Sequence, residues 1–183
     1  LNRPDALNAT NHELHQGLAE LYPQLDADAD ARVAVLTGNG RAFSAGGDFE
    51  YIDELVRDPD LRTLSLTHGR QIVTGMVACR VPIVAAVNGP AVGLGCSLVA
   101  LSDVVFLSVP PGGVADMSRD LRGVLAGRIV VSVAAPIVFR EGRAGAEPGE
   151  LSLAEITAVA APEARVVAGF HTVSARALAD PDL

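Results

Sequence analysis

Residues 81–103, VPIVAAVNGPAVGLGCSLVALSD, constrain the fold more than any other stretch of the chain. Within them, 82–87 is a short apolar run with β-branched residues, the pattern of a buried strand. Asn88, Gly89 and Pro90 punctuate that run, and 96–101 continues as an apolar helix. Between the two, Gly93 and Gly95 let the backbone pass close to a neighbour with no Cβ in the way. The first N–H groups of such a helix lack intrahelical acceptors and lie at its positive end. A strand that delivers a glycine turn and a helix N-terminus therefore offers an anion, or a developing oxyanion, a place to sit.

A second stretch repeats this grammar. Residues 32–37, RVAVLT, read as a strand, 38–40 as a turn, and 41–48, RAFSAGGD, as a loop whose Gly46 and Gly47 again bare the backbone. Two such loops can each give one N–H to a single carbonyl oxygen. That is what stabilisation of a thioester enolate or a tetrahedral species requires.

Three motifs stand in order: LNRPDALNA at 1–9, AFSAGGD at 42–48 and AAVNGPAVGLGCSLVALSD at 85–103. Together they resemble the enoyl-CoA hydratase/isomerase (crotonase) superfamily, over roughly residues 1–108. The resemblance implies the α/β, crotonase-like (ClpP/crotonase) spiral of ββα units, here truncated at the N-terminus and atypical at the C-terminus. It implies a division into a crotonase-like acyl-CoA-binding core, 1–108, and a divergent or frame-shifted tail, 109–183. It also implies a coenzyme A thioester as substrate, with no other cofactor and no metal. By position, the oxyanion-hole N–H groups fall on the backbone of Ala45 and Leu94. Arg3, Ala45, Gly46, Gly47, Asp48, Gly93 and Gly95 fall where the family binds its substrate. Ser97, four residues after Gly93, stands at the family's first carboxylate; a serine hydroxyl unaided is no general base at neutral pH. The second carboxylate would lie in the tail, where Asp116, Asp120, Glu141, Glu147 and Glu150 qualify by type and none by motif.

Composition removes other classes. At 183 residues the chain suits one domain with a real core. A net charge of −8 argues against nucleic acid, which needs a basic face. The sequence contains no lysine, so neither a phosphate-loop lysine nor a Schiff base is available. Cys79 and Cys96 form no metal or redox spacing and read as small buried hydrophobes. No apolar run approaches the roughly 20 residues that span a bilayer, and no leader is visible, so no membrane and a cytoplasmic home are expected.

Other elements follow from local pattern. Thr10 and Glu13 suggest a capping box, followed by a helical stripe of Leu14, Leu18, Leu21 and Leu25. His12 and His15 lie off that stripe and are expected to be exposed. Asp48 is expected to cap a helix over 51–56, and a second helix runs over 61–79, weakened by Gly69 and Gly75. His68, near its stripe, is the one histidine considered for chemistry. Asp103 closes the helix of the organising stretch, and 104–107 begins another strand.

Beyond Ser108 the pattern breaks. VPPGGVADMSRDLRG interrupts the chain, 128–139 is a long apolar run with no evident pairing partner, and 151–161 is helical with a Ser152–Glu155 capping box. The arginine-only, alanine-rich composition points to a GC-rich coding sequence and hence to a frame slip, which the coding DNA would test. The tail is expected to be less ordered, and trimer or hexamer contacts made by the family's C-terminal helices are expected not to form.

Several motifs fail on inspection. Position 98 is Leu, so the dinucleotide fingerprint is not met, and Ser97 lacks the following glycine of a nucleophile elbow. Cys96 has no identifiable base. Two readings stand against an acyl-CoA enzyme: a catalytically silent acyl-CoA-binding or interaction protein or defective gene product, and a Clp-like serine peptidase using Ser97 or Ser44 with His68.

Overall fold

The computed structural model describes residues 1–134, 137–140, 143–146 and 151–169, the two short segments 137–140 and 143–146 as backbone only. In chain order the elements are α1 (His12–Ala27), β1 (Ala34–Thr37), α2 (Phe49–Arg57), α3 (Pro59–Ala78), β2 (Ile83–Val87), α4 (Leu94–Leu101) and β3 (Val104–Leu107). There follow α5 (Val114–Asp120), α6 (Arg122–Leu125), β4 (Ile129–Ser132), β5 (Ile137–Arg140), β6 (Arg143–Ala146), α7 (Leu153–Ala160) and β7 (Arg165–Ala168).

Five strands form one parallel sheet in the order β1-β2-β3-β4-β7, and β5 and β6 form a separate antiparallel pair. Parallel neighbours need crossovers, and helices between successive strands supply them. The sheet crosses residue 108: Val104 to Leu107 align with Ile129 to Ser132, which align in turn with Arg165 to Ala168. The apolar run 128–139 thus has β3 on one side and β7 on the other for its first part. Its last residues, 137–139, belong to β5 of the β5–β6 pair.

The strands place one set of side chains in a shared core, since successive residues point to opposite faces. Ile83, Ala85 and Val87 of β2 and Val105 and Leu107 of β3 are buried there with Leu18, Tyr22, Ile72 and Leu98 from the helices. The leucine stripe of α1 meets this cluster as its spacing predicts, Leu18 fully and Leu14, Leu21 and Leu25 at its edge. Gly75, which weakens α3 by propensity, lies against Tyr22: a Cβ there would stand 2.8 Å from the ring. The glycine is what lets α1 and α3 pack closely.

Three local expectations need correction. Asn11, not Thr10, caps α1, its side chain accepting from Leu14 N–H at 3.0 Å. Thr10 is drawn into a bridge with Gly47 instead, its N–H donating to the Gly46 carbonyl. His15 is buried and His12 half-buried rather than exposed, because α2 and α3 cover the side of α1 that the leucine stripe does not use. Asp103 ties β2 to the start of β3: its carboxylate accepts from Ile83 N–H and its own N–H donates to the Ile83 carbonyl, both at 2.8 Å. The cap on Asp48 and the reciprocal Ser152–Glu155 box form as their sequences direct, and Asp58 caps α3.

Candidate functional site

The two glycine loops meet. Ser44 bridges Ala91 in parallel fashion, Phe43 and Ser44 N–H groups donate to the Pro90 carbonyl, and Val92 N–H donates to the Ser44 carbonyl. Gly46 (φ +89°) and Gly93 (φ +55°) adopt left-handed backbone at the point of approach. A Cβ on Gly46 would lie 3.1 Å from the Val92 carbonyl oxygen, so bare backbone is needed on both counts. Segments 41–48 and 88–95 thus lie against each other, with Gly46, Gly93 and Gly95 at the contact.

The expected donors differ in state. Leu94 is the first residue of α4, and its N–H has no hydrogen-bond acceptor among the described residues, as a leading helical N–H should. Ala45 N–H is occupied: it donates to the Leu7 carbonyl at 3.0 Å. Leu7 and Asn8 are both left-handed (φ 51° and 56°), which turns that carbonyl toward the loop. Asn tolerates this conformation, and a leucine in it carries strain.

Asn8, unassigned from sequence although it lies in the first motif, holds this corner together. Wholly buried, it donates to the Asn39 and Ala42 carbonyls at 2.9 and 2.8 Å and accepts from Arg3 N–H at 2.8 Å. The buried Ser44 hydroxyl donates to the Asn8 carbonyl. Only the spatial neighbours explain these roles; an asparagine in a turn motif was the available signal.

Arg3 and Asp48 come together, the guanidinium 2.9 Å from the carboxylate. The Arg3 hydrogen bond holds the Asp48 carboxyl below its ordinary range, and the Glu50 N–H it accepts at the start of α2 adds to this, while partial desolvation opposes it. Beside them a cavity of about 590 Å³ is lined by Leu7, Ala9, Arg41, Ala45, Gly47 and Asp48, among others. Arg41, at the head of the RAFSAGGD loop, is a cation on this cavity that sequence reasoning left without a role.

Among the described residues Ser97 has no acid/base partner. Its hydroxyl reaches back to the Gly93 carbonyl of its own helix at 3.5 Å. Asp116 is exposed and paired with Arg119, and Asp120 is exposed. No hydrogen bond or ion pair joins either to the glycine loops among the described residues. Glu141, Glu147 and Glu150 lie outside the described residues. Cys96 donates its thiol to the Ala91 carbonyl at 2.7 Å, and burial pushes its pKa up, which makes it a poor nucleophile. His68 packs among His12 and His15 rather than against Ser44 or Ser97, so the peptidase pairing is not assembled. Among the described residues no group of three or more His, Cys, Asp or Glu could hold a metal ion, and no helix is long and apolar enough to cross a membrane.

Known proteins match the same region. The family model described as Enoyl-CoA hydratase/isomerase matches residues 1–118. The chain is 42% identical over 108 residues to a 2,3-dehydroadipyl-CoA hydratase of Escherichia coli, covering 57% of this chain and 40% of that protein. It is 37% identical over 108 residues to a 1,2-epoxyphenylacetyl-CoA isomerase of the same organism, covering 58% and 41%. Among solved structures, an enoyl-CoA hydratase/isomerase from Mycobacterium paratuberculosis superposes with a TM-score of 0.58 at 62% identity, covering 61% of this chain and 44% of that one. An enoyl-CoA hydratase from Mycobacterium smegmatis gives 0.53 at 29% identity, with 61% and 42% covered. The chain spans about two fifths of the length of the curated relatives it matches. With ordered motifs, a parallel α/β sheet and a family match over residues 1–118, the chain belongs to the enoyl-CoA hydratase/isomerase family of the crotonase superfamily.

Proposed function

We propose that the chain binds acyl-CoA thioesters, with the thioester carbonyl at the contact of the two glycine loops. The observation that carries this reading is the apposition of Gly46 with Gly93, which sets the free N–H of Leu94 next to the Ala45 loop. Leu94 N–H is the preformed donor. Ala45 N–H becomes the second donor once the acyl carbonyl displaces that of Leu7. Arg3 and Asp48 fix the edge of the loop, and Arg41 offers a cation to the anionic part of coenzyme A. The bound thioester gains enolate stabilisation from backbone dipoles that need no reorganisation on the Leu94 side.

Hydration or a double-bond shift is the reaction of this class, and both need proton transfer. With serine at 97, the site keeps binding and loses general acid/base help, worth roughly 10²–10⁴ per group. A binder with weak hydratase activity is the result. The occupied Ala45 N–H favours a second, silent reading, in which the thioester binds and no turnover follows. Calorimetric titration with crotonyl-CoA, paired with hydration followed at the enone absorbance, tests this. Saturable binding with turnover far below about 10 s⁻¹, the median for enzymes, is expected. Absence of binding would overturn the reading, and turnover at or above that median would refute the role given to position 97.

A further inference from the structure

Outside the glycine-loop site, α1, α2 and α3 bring four ring side chains to one point. His12 and His15 come from α1, Tyr51 from α2 and His68 from α3. The ring centroids lie 5.9 Å apart for His12–Tyr51 and His15–His68, 6.1 Å for His12–His68 and 6.3 Å for His15–Tyr51. The Nδ1 atoms of all three histidines and the Tyr51 hydroxyl are shielded from solvent and lack hydrogen-bond partners among the described residues. Buried polar groups are normally paired, so four orphans at one helix junction require an explanation.

A shared metal ion is not that explanation, because no group of three ligand-type side chains among the described residues is arranged to hold one. The groups facing His15 are His12 on its own helix, His68 from α3 and Tyr51 from α2. No carboxylate forms an ion pair with any of the three histidines among the described residues. A proton taken up here is therefore buried next to other imidazoles with nothing to neutralise it. Desolvation, then the neighbouring His68 and His12, depress the His15 pKa.

We propose that the His12–His15–His68–Tyr51 cluster is a pH-sensitive latch that holds α2 against α1 and α3 when neutral and releases it when protonated. The segment it controls begins at the site. Asp48, the cap of α2, is the residue that Arg3 grips, and Tyr51 is three residues on. Thr10, two residues before His12, bridges Gly47. Loosening α2 thus loosens the 45–48 loop through Asp48, whatever ligand that loop takes.

The sign follows from the depressed pKa. In the opened state His15 takes up its proton at the ordinary histidine value, near 6.5, and in the closed state only at lower pH. Closure is therefore fully favoured above about pH 6.5 and lost as pH falls below it, by up to about tenfold per pH unit for each proton taken up on opening.

Hydrogen exchange of the full chain in EDTA, corrected for intrinsic rates and compared between about pH 7.5 and 5.5, reads this directly. Amides of α2 are expected to lose up to about tenfold in protection on acidification, while those of β2 keep theirs. In His15→Phe, which keeps a ring and removes the titration, most of that loss should vanish. His15→Gln, which also removes the titration at that position, gives the same test should His15→Phe fail to fold. Unchanged α2 protection in the wild type, or an equal loss in the wild type and the folded variants, overturns the latch.

Discussion

Gly89→Ala is expected to damage the fold and the loop contact together. A Cβ at Gly89 would stand 2.2 Å from the Arg41 carbonyl oxygen and 3.0 Å from Ala42 Cα, so backbone has to move. That backbone is pinned: Asn8 Nδ2 donates to the Ala42 carbonyl at 2.8 Å, and Phe43 N–H donates to that of Pro90 at 3.1 Å. Overpacking of this kind costs about 1–3 kcal/mol. Breaking one pinning hydrogen bond adds about 0.5–1.5 kcal/mol, giving roughly 1.5–4.5 kcal/mol in all. Urea unfolding followed by circular dichroism measures the loss, with an unchanged m-value showing that the same surface is exposed. Gly17→Ala is the control: exposed on α1 with nothing within 4 Å of the added Cβ, it should stabilise by about 1 kcal/mol. A Gly89→Ala loss below about 0.5 kcal/mol would refute the claim that the two loops are locked by backbone contact.

Two further outcomes are expected. Ser97→Glu places a carboxylate in the first turn of α4, where the helix dipole favours it; crotonyl-CoA hydration should rise by about 10², and an unchanged rate would show that position 97 is not what limits the chemistry. Arg3→Gln removes the partner that depresses Asp48. Because the folded carboxyl titrates below its unfolded value, the pair's contribution is present above about pH 4 and lost as pH falls through the folded pKa. Thermal unfolding midpoints between about pH 2.5 and 5 should therefore vary less steeply with pH in Arg3→Gln than in the wild type, and equal slopes would mean that Arg3 does not set the Asp48 titration.

What the sequence disclosed was local. The strand–glycine–helix unit at 81–103 reads correctly because an apolar run, a turn and a helix are each written within a few residues, and β2 and α4 form where those signals lie. The Asp48 and Ser152 caps were legible for the same reason. Features that depend on distant partners were not. Thr10 loses its capping role to Asn11 because Gly47, 37 residues away in sequence, recruits its backbone. His15 becomes buried because two later helices cover it, and a single apolar stripe shows only the face turned to the sheet. The Leu7 carbonyl on Ala45 N–H could not be foreseen, since both oxyanion-type loops carry the right glycines and only folding shows which amide is taken. The partners of 128–132 stayed hidden because parallel neighbours lie beyond intervening helices and leave no local mark.

The most direct test of the thioester site is isotope-edited infrared spectroscopy of crotonyl-CoA labelled with ¹³C at the thioester carbonyl. Hydrogen bonds from backbone N–H groups polarise a bound carbonyl, so its stretching band should move to lower frequency in the complex. Leu94→Pro removes the preformed donor at a first helical position, where proline is well accommodated, and circular dichroism checks that the variant is folded. In that variant most of the downshift should disappear, and any turnover should fall by about 10²–10³. A carbonyl band that is unshifted on binding, or shifted equally in the wild type and a folded Leu94→Pro, would contradict a thioester carbonyl seated on Leu94.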